Sequence, residues 1–330
     1  MNAMKLPRRN FLHLAAGAAA LPVVSRVARA QVYPTRPITI VDTFPPGGST
    51  GIVARIIADR FSETLGQQVI VDQRGGAGGT VAAKQIARGA PDGYTIMLGF
   101  TGTLAIAPSL YPSAGYDPRK DFAPIGRIGS APNSLVVHPS FPVSSVAELI
   151  AYAKRNPGKV NFGSAGIGTV GHVAGELLSS MAEIKLVHVP YRGTGPNLTD
   201  LLGGHIPMSF APIPATYENT KNGLLRMLGV TSLNRSTLLP DVPTIAEQGL
   251  AGYEAVLRYG LVVPAHTPRP IIDLLNKELR TALATDDVRS RFATIGAEPL
   301  ASTPEEYAAD IDREETKWST LIKSLGLKAE

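Results

Sequence analysis

Cysteine is absent from all 330 residues, which excludes a disulfide framework, a thiolate metal site and a cysteine nucleophile. The fold must therefore be held by its core. Aromatic residues make up only 6% of the chain, with a single tryptophan, and no basic cluster interleaved with aromatics occurs. Nucleic acid is accordingly not an expected partner. Beyond the first thirty residues no apolar run approaches the ~20 residues of a membrane-spanning helix, so the mature chain is expected to be soluble. The histidines outside that stretch, at 138, 172, 188, 205 and 266, lack metal-ligand spacing, and no metal or other cofactor is expected.

The first thirty residues read as an export leader. Lys5, Arg8 and Arg9 give a positive start, Phe11 to Val24 is mostly apolar, and Ala28-Arg29-Ala30 is a small-x-small cleavage site before Gln31. At roughly 14 residues the apolar run is short for a retained anchor. Residues 1–30 are therefore read as a cleavable signal peptide and the mature chain as periplasmic. Arg8-Arg9-Asn10-Phe11-Leu12 also fits the twin-arginine pattern, although an arginine pair arises easily in any positive leader. Removing the leader takes Lys+Arg from 32 to 27, equal to the 27 Asp+Glu, so the mature chain is neutral.

Two stretches share one design of apolar strand, glycine-rich loop, amphipathic helix and second strand. The first runs Ile38–Val41, Pro45-Pro46-Gly47-Gly48-Ser49-Thr50, a helix over Ile52–Leu65, then Val69–Val71. The second runs Val160–Phe162, Gly163-Ser164-Ala165-Gly166-Ile167-Gly168-Thr169, a helix over Gly171–Met181, then Leu186–Val189. Glycine lets the backbone bend with its N–H groups bare, and a helix start adds partial positive charge. Each unit is a ready anion site. Two of them suggest two lobes gripping one small anion.

The remainder alternates strands and helices. A helix is expected over Thr80–Arg88, a strand over Tyr94–Leu98, a loop over Gly99–Thr103 and a short helix over Leu104–Leu110. Separate strands follow at Ile125–Ile128 and Ser134–Val137, then a Ser144-capped helix over Val146–Arg155. Later helices are expected near 197–202, 215–222, 270–285, 287–295 and 304–325, with Trp318 in the core, and strands near 207–210, 226–231 and 258–263. The pattern predicts an α/β protein with mainly parallel sheets. If each unit founds a lobe, lobe one holds residues 31–130 plus 259–330 and lobe two holds 131–258. Two crossing strands would join them.

Many short motifs, in order along nearly the whole mature chain, carry a family resemblance. They include Tyr33-Pro34-x-Arg36-Pro37, Phe44-Pro45-Pro46-Gly47-Gly48, Gly76-Ala77-Gly78-Gly79, Pro91-Asp92-Gly93-Tyr94 and Tyr116-Asp117-Pro118. Gly163-Ser164-x-Gly166-x-Gly168-Thr169 with His172, His188-Val189-Pro190-Tyr191-Arg192-Gly193 and Leu239-Pro240-Asp241-Val242-Pro243-Thr244 follow. The chain thus resembles the solute-binding proteins of tripartite tricarboxylate transporters, the Bug family. That resemblance implies a periplasmic-binding-protein fold, with two α/β lobes, two crossing strands and a cleft between. It also implies a small organic carboxylate ligand, delivery to the membrane subunits of such a transporter, and no enzyme activity. A monomer is expected.

Ligand contacts are expected from Phe44, Gly48, Ser49 and Thr50 in the first loop, and from Thr101 and Thr103 after the next strand. Ser164, Gly168, Thr169, His172 and Tyr191 are the candidates of the second unit, and Ala211, Arg258 and Tyr259 lie at later strand ends. Most have bland readings as well: Ser49 fits an N-cap of its helix, His172 a structural hydrogen-bond partner, Tyr191 a packed strand end, and Arg258 a surface arginine. Arg55 and Arg192 read as structural. The chain departs from the family pattern at Gly51 and at Phe210-Ala211, where the family usually carries Asp. Loss of two carboxylates points to a ligand without an amino group and with a more apolar face.

Two alternatives share parts of this pattern. A periplasmic sensor handing its closed form to a receptor would use the same cleft. Gly166-x-Gly168-x-x-Gly171 formally matches a dinucleotide fingerprint, but the second strand ends in Val189-Pro190-Tyr191 rather than in an acid, so a nucleotide-dependent enzyme is the remote reading. Position 162 is Phe, which removes the Gly-x-Ser-x-Gly elbow of hydrolases.

Overall fold

Short β-branched runs buried on both faces are what a sheet covered by helices requires, and Ile38, Ile40 and Val41 of the first strand have no exposed surface. In this computed structural model the described residues are 33–44 and 49–329, so the expected signal peptide and Pro45–Gly48 lie outside them. The chain divides at Thr35 into a leading segment and one body, Arg36–Glu330. Within the body the described strands form a ten-stranded sheet in the order Val69–Gln73, Ile38–Asp42, Thr95–Phe100, Val256–Pro264, Phe122–Val137, Met208–Pro212, Val160–Ser164, Leu186–Pro190, with Arg226–Val230 and Glu298–Pro299 also paired to Phe122–Val137.

The first part comprises β1 (Ile38–Asp42), α1 (Ser49–Leu65), β2 (Val69–Gln73), α2 (Thr80–Ala87) and β3 (Thr95–Phe100). β1 pairs in parallel with both β2 and β3. The expected loop over Gly99–Thr103 is corrected: β3 runs on to Phe100, and a wide π-type turn, Gly102–Ile106, leads straight into α3 (Ala107–Leu110). β4 (Phe122–Val137) is one strand of 16 residues where two were expected. Register shifts at Pro124/Gly126 and Arg127/Gly129 absorb its proline and glycine punctuation. Glycine is needed at 129, because a Cβ there would lie 2.3 Å from the Glu298 carbonyl oxygen of the adjoining strand.

The second part comprises α4 (Val146–Arg155), β5 (Val160–Ser164), α5 (Val170–Met181), β6 (Leu186–Pro190), α6 (Thr194–Leu202), β7 (Met208–Pro212), α7 (Ile213–Lys221) and β8 (Arg226–Val230). The α4 cap is Ser145, which accepts from the Glu148 amide, rather than Ser144. Ser144 instead donates through its amide and hydroxyl to Glu148 Oε2, completing the reciprocal box one residue earlier. β5 pairs in parallel with β6 and β7. The chain then returns along β9 (Val256–Pro264) and finishes with α8 (Arg269–Leu283), α9 (Asp286–Ala293), β10 (Glu298–Pro299) and α10 (Pro304–Ser324).

β9 runs antiparallel to β3 and β4, and β4 antiparallel to β7, β8 and β10. The sheet is therefore mixed rather than mainly parallel, because the chain passes out along β4 and back along β9. One core gathers Val41, Met97, Leu104, Phe122, Val262, Tyr307 and Ile311. Another gathers Leu135, Phe162, Val173, Met208, Phe210, Tyr253 and Trp318. Trp318 is fully buried, as expected, and its Nε1 donates to Glu314 Oε2 at 3.0 Å.

Candidate functional site

Strand ends and helix starts meet where the two parallel groups face one another across β4 and β9. At the end of β1, buried Asp42 accepts from the Phe44 amide (3.1 Å), Thr50 Oγ1 (3.0 Å) and Gln73 Nε2 (3.0 Å). Burial pushes its carboxyl above the usual carboxylate range, against the pull of those donors. The acid thus ties the strand end to the first turn of α1. Phe44 packs edge-on against Phe100, with ring centroids 5.1 Å apart.

The second unit ends on a neutral group instead. Buried Ser164 Oγ accepts from the Gly166 amide (3.1 Å) and shares a 2.7 Å hydrogen bond with His188 Nε2. Thr169 caps α5: its hydroxyl donates to the Gly166 carbonyl at 2.7 Å and accepts from the His172 amide at 3.4 Å. The Gly168 amide donates to His172 Nδ1 at 3.4 Å, which places the ring proton on Nε2. The His172 and His188 rings stack 4.2 Å apart, and burial pushes them down to about 4 and about 3. Both are uncharged at neutral pH.

Above these supports lies a cavity of about 90 Å³. Thr50 of α1, Thr169, Val170 and Gly171 at the start of α5, Thr194 at the start of α6 and Pro212 just before α7 all line it. Four helix N-termini therefore converge on one space. The first amides of a helix have no intrahelical acceptor, so these ends bring partial positive charge, and Val170, Gly171 and Thr194 also bring main-chain N–H groups, whereas Pro212 has none. Phe44, Phe100, Phe210 and Leu257 supply apolar walls, and Asn133 of β4 completes the lining with Ala165. Among the described lining residues none is charged. Glycine at 171 brings α5 against β7, since a Cβ there would lie 2.7 Å from the Phe210 carbonyl oxygen.

The cavity adjoins an outer chamber of about 870 Å³, which shares Phe44, Ala165, Thr169 and Thr194. Gly76–Gly79, Tyr111, Tyr191 and Arg192 form part of its wall. Tyr111 Oη donates to the Ile167 carbonyl at 3.4 Å, and Tyr191 Oη donates to Asp200 Oδ2 at 2.8 Å. Burial and that carboxylate push the Tyr191 phenol up to about 12.

Of the residues expected from sequence, Phe44, Thr50 and Thr169 line the cavity, and Tyr191 joins Phe44 and Thr169 in the chamber. Ser164, Gly168 and His172 stand behind the α5 start as its supports. Thr103 Oγ1 is hydrogen-bonded to Thr43 Oγ1 at 2.9 Å, and Thr101 Oγ1 accepts from the Arg258 amide at 2.9 Å. Ala211 lies buried in β7, its carbonyl accepting from Ser134 Oγ, and Tyr259 is buried in β9 opposite Phe100. Gly48 and the Ser49 side chain lie outside the described structure.

Arg258 is redirected. Its guanidinium donates to Glu314 Oε1 (2.7 Å) and Glu254 Oε1 (2.9 Å), and it borders a separate pocket of about 20 Å³ with Thr101. Two internal carboxylates take the fork that the sequence reading offered to a ligand. The lining residues that sequence reading missed are Asn133, Phe100 and Leu257 on β4, β3 and β9, together with Ala165, Val170, Gly171, Thr194, Phe210 and Pro212. Of these, Phe100, Gly171 and Thr194 adjoin or fall within stretches already singled out; Asn133 and Leu257 carry no local signal.

The profile of the tripartite tricarboxylate transporter family receptors matches residues 53–327. The chain is 37% identical over 300 residues to the protein BugT of Bordetella pertussis, covering 91% of this chain and 92% of BugT. It is similar to the solved structure of R. palustris Rpa4515 with adipate, at 36% identity and a TM-score of 0.82, over 90% of this chain and 99% of that one. MatC (Rpa3494) from Rhodopseudomonas palustris, with bound malate, is 32% identical with a TM-score of 0.78, over 88% of this chain and all (100%) of MatC.

Proposed function

The chain belongs to the tripartite tricarboxylate transporter receptor family, and on that premise we propose that it is an exported, periplasmic solute-binding protein for a small organic carboxylate. Residues 1–30 are its signal peptide. Residues 31–130 with 259–330 form one lobe and 131–258 the other, with β4 and β9 as the crossing strands. The loaded, closed form is handed to the membrane subunits of a tripartite transporter. The observation that carries this reading is the convergence of four helix starts on a cavity whose described lining holds no charged side chain.

Magnitudes are consistent with an anion held this way. A helix terminus is worth roughly 0.3–1 kcal/mol, and about 2 when partly buried. Micromolar affinity needs about −8 kcal/mol. Helix dipoles alone fall short, so several charge-assisted hydrogen bonds of about 1.5–3 kcal/mol each complete the grip. The bare first-turn amides and the Thr194 hydroxyl are positioned to supply them. The apolar walls, and a described lining without a carboxylate, favour a ligand without an amino group. The adipate and malate complexes of the two relatives support a carboxylate.

A thermal-shift screen of residues 31–330 against mono- and dicarboxylates, amino acids and nucleotides tests this. A ligand at 100 times its dissociation constant stabilises by about 2.7 kcal/mol. A rise in melting temperature confined to carboxylates is the expected result. A rise with a dinucleotide and with no carboxylate would overturn it.

A further inference from the structure

Arg258 joins Glu254, Glu314 and Lys317 in a cluster of two cations and two anions behind β9. Its guanidinium donates to Glu314 Oε1 at 2.7 Å and to Glu254 Oε1 at 2.9 Å. Lys317 Nζ donates to the Glu254 carbonyl at 2.6 Å and lies 3.6 Å from the carboxylate of the same residue. Glu314 is buried on α10, and Lys317 follows it on that helix. A buried ion pair is a poor source of net stability, because desolvation consumes most of the attraction. Its best-attested use is to fix a register.

β9 has need of such a fix. Its ladder with β4 shifts twice, at Pro124/Gly126 and at Arg127/Gly129, and its ladder with β3 ends at the Phe100–Tyr259 pair. One residue beyond that pair the Thr101 hydroxyl takes over, accepting from the Arg258 amide at 2.9 Å and donating to the Val256 carbonyl at 3.3 Å. α10 offers a fixed support, since Tyr307 and Ile311 enter one core and Trp318, Leu321 and Ile322 the other. Glu314 stands between those two sets.

Successive side chains of a strand point to opposite faces. Arg258 turns to α10, and its neighbour Leu257 forms part of the cavity wall. Phe100 borders that cavity and also the small pocket beside Arg258 and Glu314. The seating of β9 on α10 therefore decides where two walls of the cavity stand. A slip of one residue would turn Leu257 out of the wall altogether.

We propose that Arg258 is a positioning residue for ligand capture: by bridging Glu254 and Glu314 it seats β9 on α10 and holds Leu257 and Phe100 at the spacing a ligand requires. The proposal rests on the carboxylate reading above and adds to it a residue that acts from outside the cavity. The molecule supplies its own comparison. Arg127 of β4 is paired in the same way with buried Asp310, one turn before Glu314 on α10, and donates to the Leu300 carbonyl at 3.0 Å. Neither Arg127 nor its neighbours Gly126 and Ile128 are among the described lining residues.

The test combines melting curves with calorimetric titration of the mature protein by adipate, malate and pentanedioate, well below the melting temperature of every variant. Arg258→Met and Arg127→Met should both melt earlier than the parent. Binding should weaken about tenfold or more in Arg258→Met and stay within about twofold in Arg127→Met. Arg258→Lys, which keeps the charge but not the fork, should recover part of that loss. Glu314→Gln reaches the same bond from the other side and should weaken binding as well. If Arg258→Met does not fold, Arg258→Lys and Glu314→Gln decide the matter against the parent. Parental affinity in every folded variant of Arg258 and Glu314, or an equal loss in Arg127→Met, would overturn the inference and leave the carboxylate reading standing. Binding of none of the three acids by the unaltered protein would overturn both.

Discussion

The two strand–loop–helix units look equivalent in sequence, and the structure makes them opposites. At the end of β1 a buried carboxylate, Asp42, already occupies the donors of Phe44, Thr50 and Gln73. At the end of β5 a serine and two uncharged, stacked histidines take its place, and among the described residues no carboxylate accepts a hydrogen bond from the first turn of α5. The first unit therefore brings its own anion, whereas the second reserves its positive end. Anion affinity should accordingly reside mainly in the second unit, with the first supplying an aromatic wall through Phe44.

The largest contrast is expected from adding one methyl group to each unit. In Gly171→Ala the new Cβ meets the Phe210 carbonyl oxygen at 2.7 Å and Ser164 Cβ at 3.3 Å, and backbone cannot yield. Stability should fall by about 1–3 kcal/mol. Displacing the α5 start should weaken carboxylate binding by about 100-fold. In Gly51→Ala the nearest atom, at 2.4 Å, is Nε2 of the flexible Gln73 side chain. That side chain can swing aside, so the variant should lose less, about 0.5–1.5 kcal/mol for the Gln73–Asp42 hydrogen bond. Denaturant melts and titrations of the pair measure the difference, and equal losses would erase the asymmetry.

Titration should separate the buried histidines from the buried carboxylates by sign. His172 and His188 have folded-state pKa values of about 4 and about 3, below the ordinary 6.5, so below pH 6.5 the unfolded chain binds the extra protons. Their contribution is complete above pH 6.5 and is lost as pH falls towards 4 and 3, at up to about 1.4 kcal/mol per pH unit for each ring. Asp42 and Glu176, raised by burial, act in the reverse sense, since there the folded state holds the extra protons above the usual carboxylate pKa. His188→Gln should therefore flatten the acid limb of the melting curve, and Asp42→Asn should steepen it. Melting temperatures between pH 4 and 7 give the slopes.

Smaller effects follow at the caps and rim. Thr169→Ala removes the α5 cap and should cost about 1 kcal/mol, with a matching loss of affinity. Tyr191→Phe breaks only the 2.8 Å bond to Asp200 at the chamber wall. About 0.5–1 kcal/mol of stability should go, with binding in the inner cavity unchanged.

The contrast between units also marks what sequence could deliver. The alternation of strands and helices, both glycine-loop units and the core position of Trp318 were legible, because each rests on local pattern. β4 was not, since Pro124, Gly126, Gly129 and Pro132 imitate breaks that bulges absorb. Phe44, Thr50, Thr169 and Tyr191 were found because they adjoin the glycine loops. Asn133 and Leu257 were missed because they enter the site through pairing of distant segments, Asn133 beside Pro212 on β7 and Leu257 beside Ala131 on β4. Ser164, Thr103 and Arg258 carry suitable chemistry, but their partners are internal, and only three dimensions reveal a partner.

The ion-pair cluster behind β9 gives the molecule an optical property. Trp318 is the only tryptophan in the chain, and it donates to Glu314, whose other carboxylate oxygen accepts from Arg258 on β9. Lys317 Nζ lies 4.8 Å from the indole centroid and donates to the Glu254 carbonyl. The indole is thus wired to β9. Its emission should be blue-shifted by burial, and any sliding of β9 against α10 would change the field at the ring, making the unlabelled protein its own fluorescent gauge.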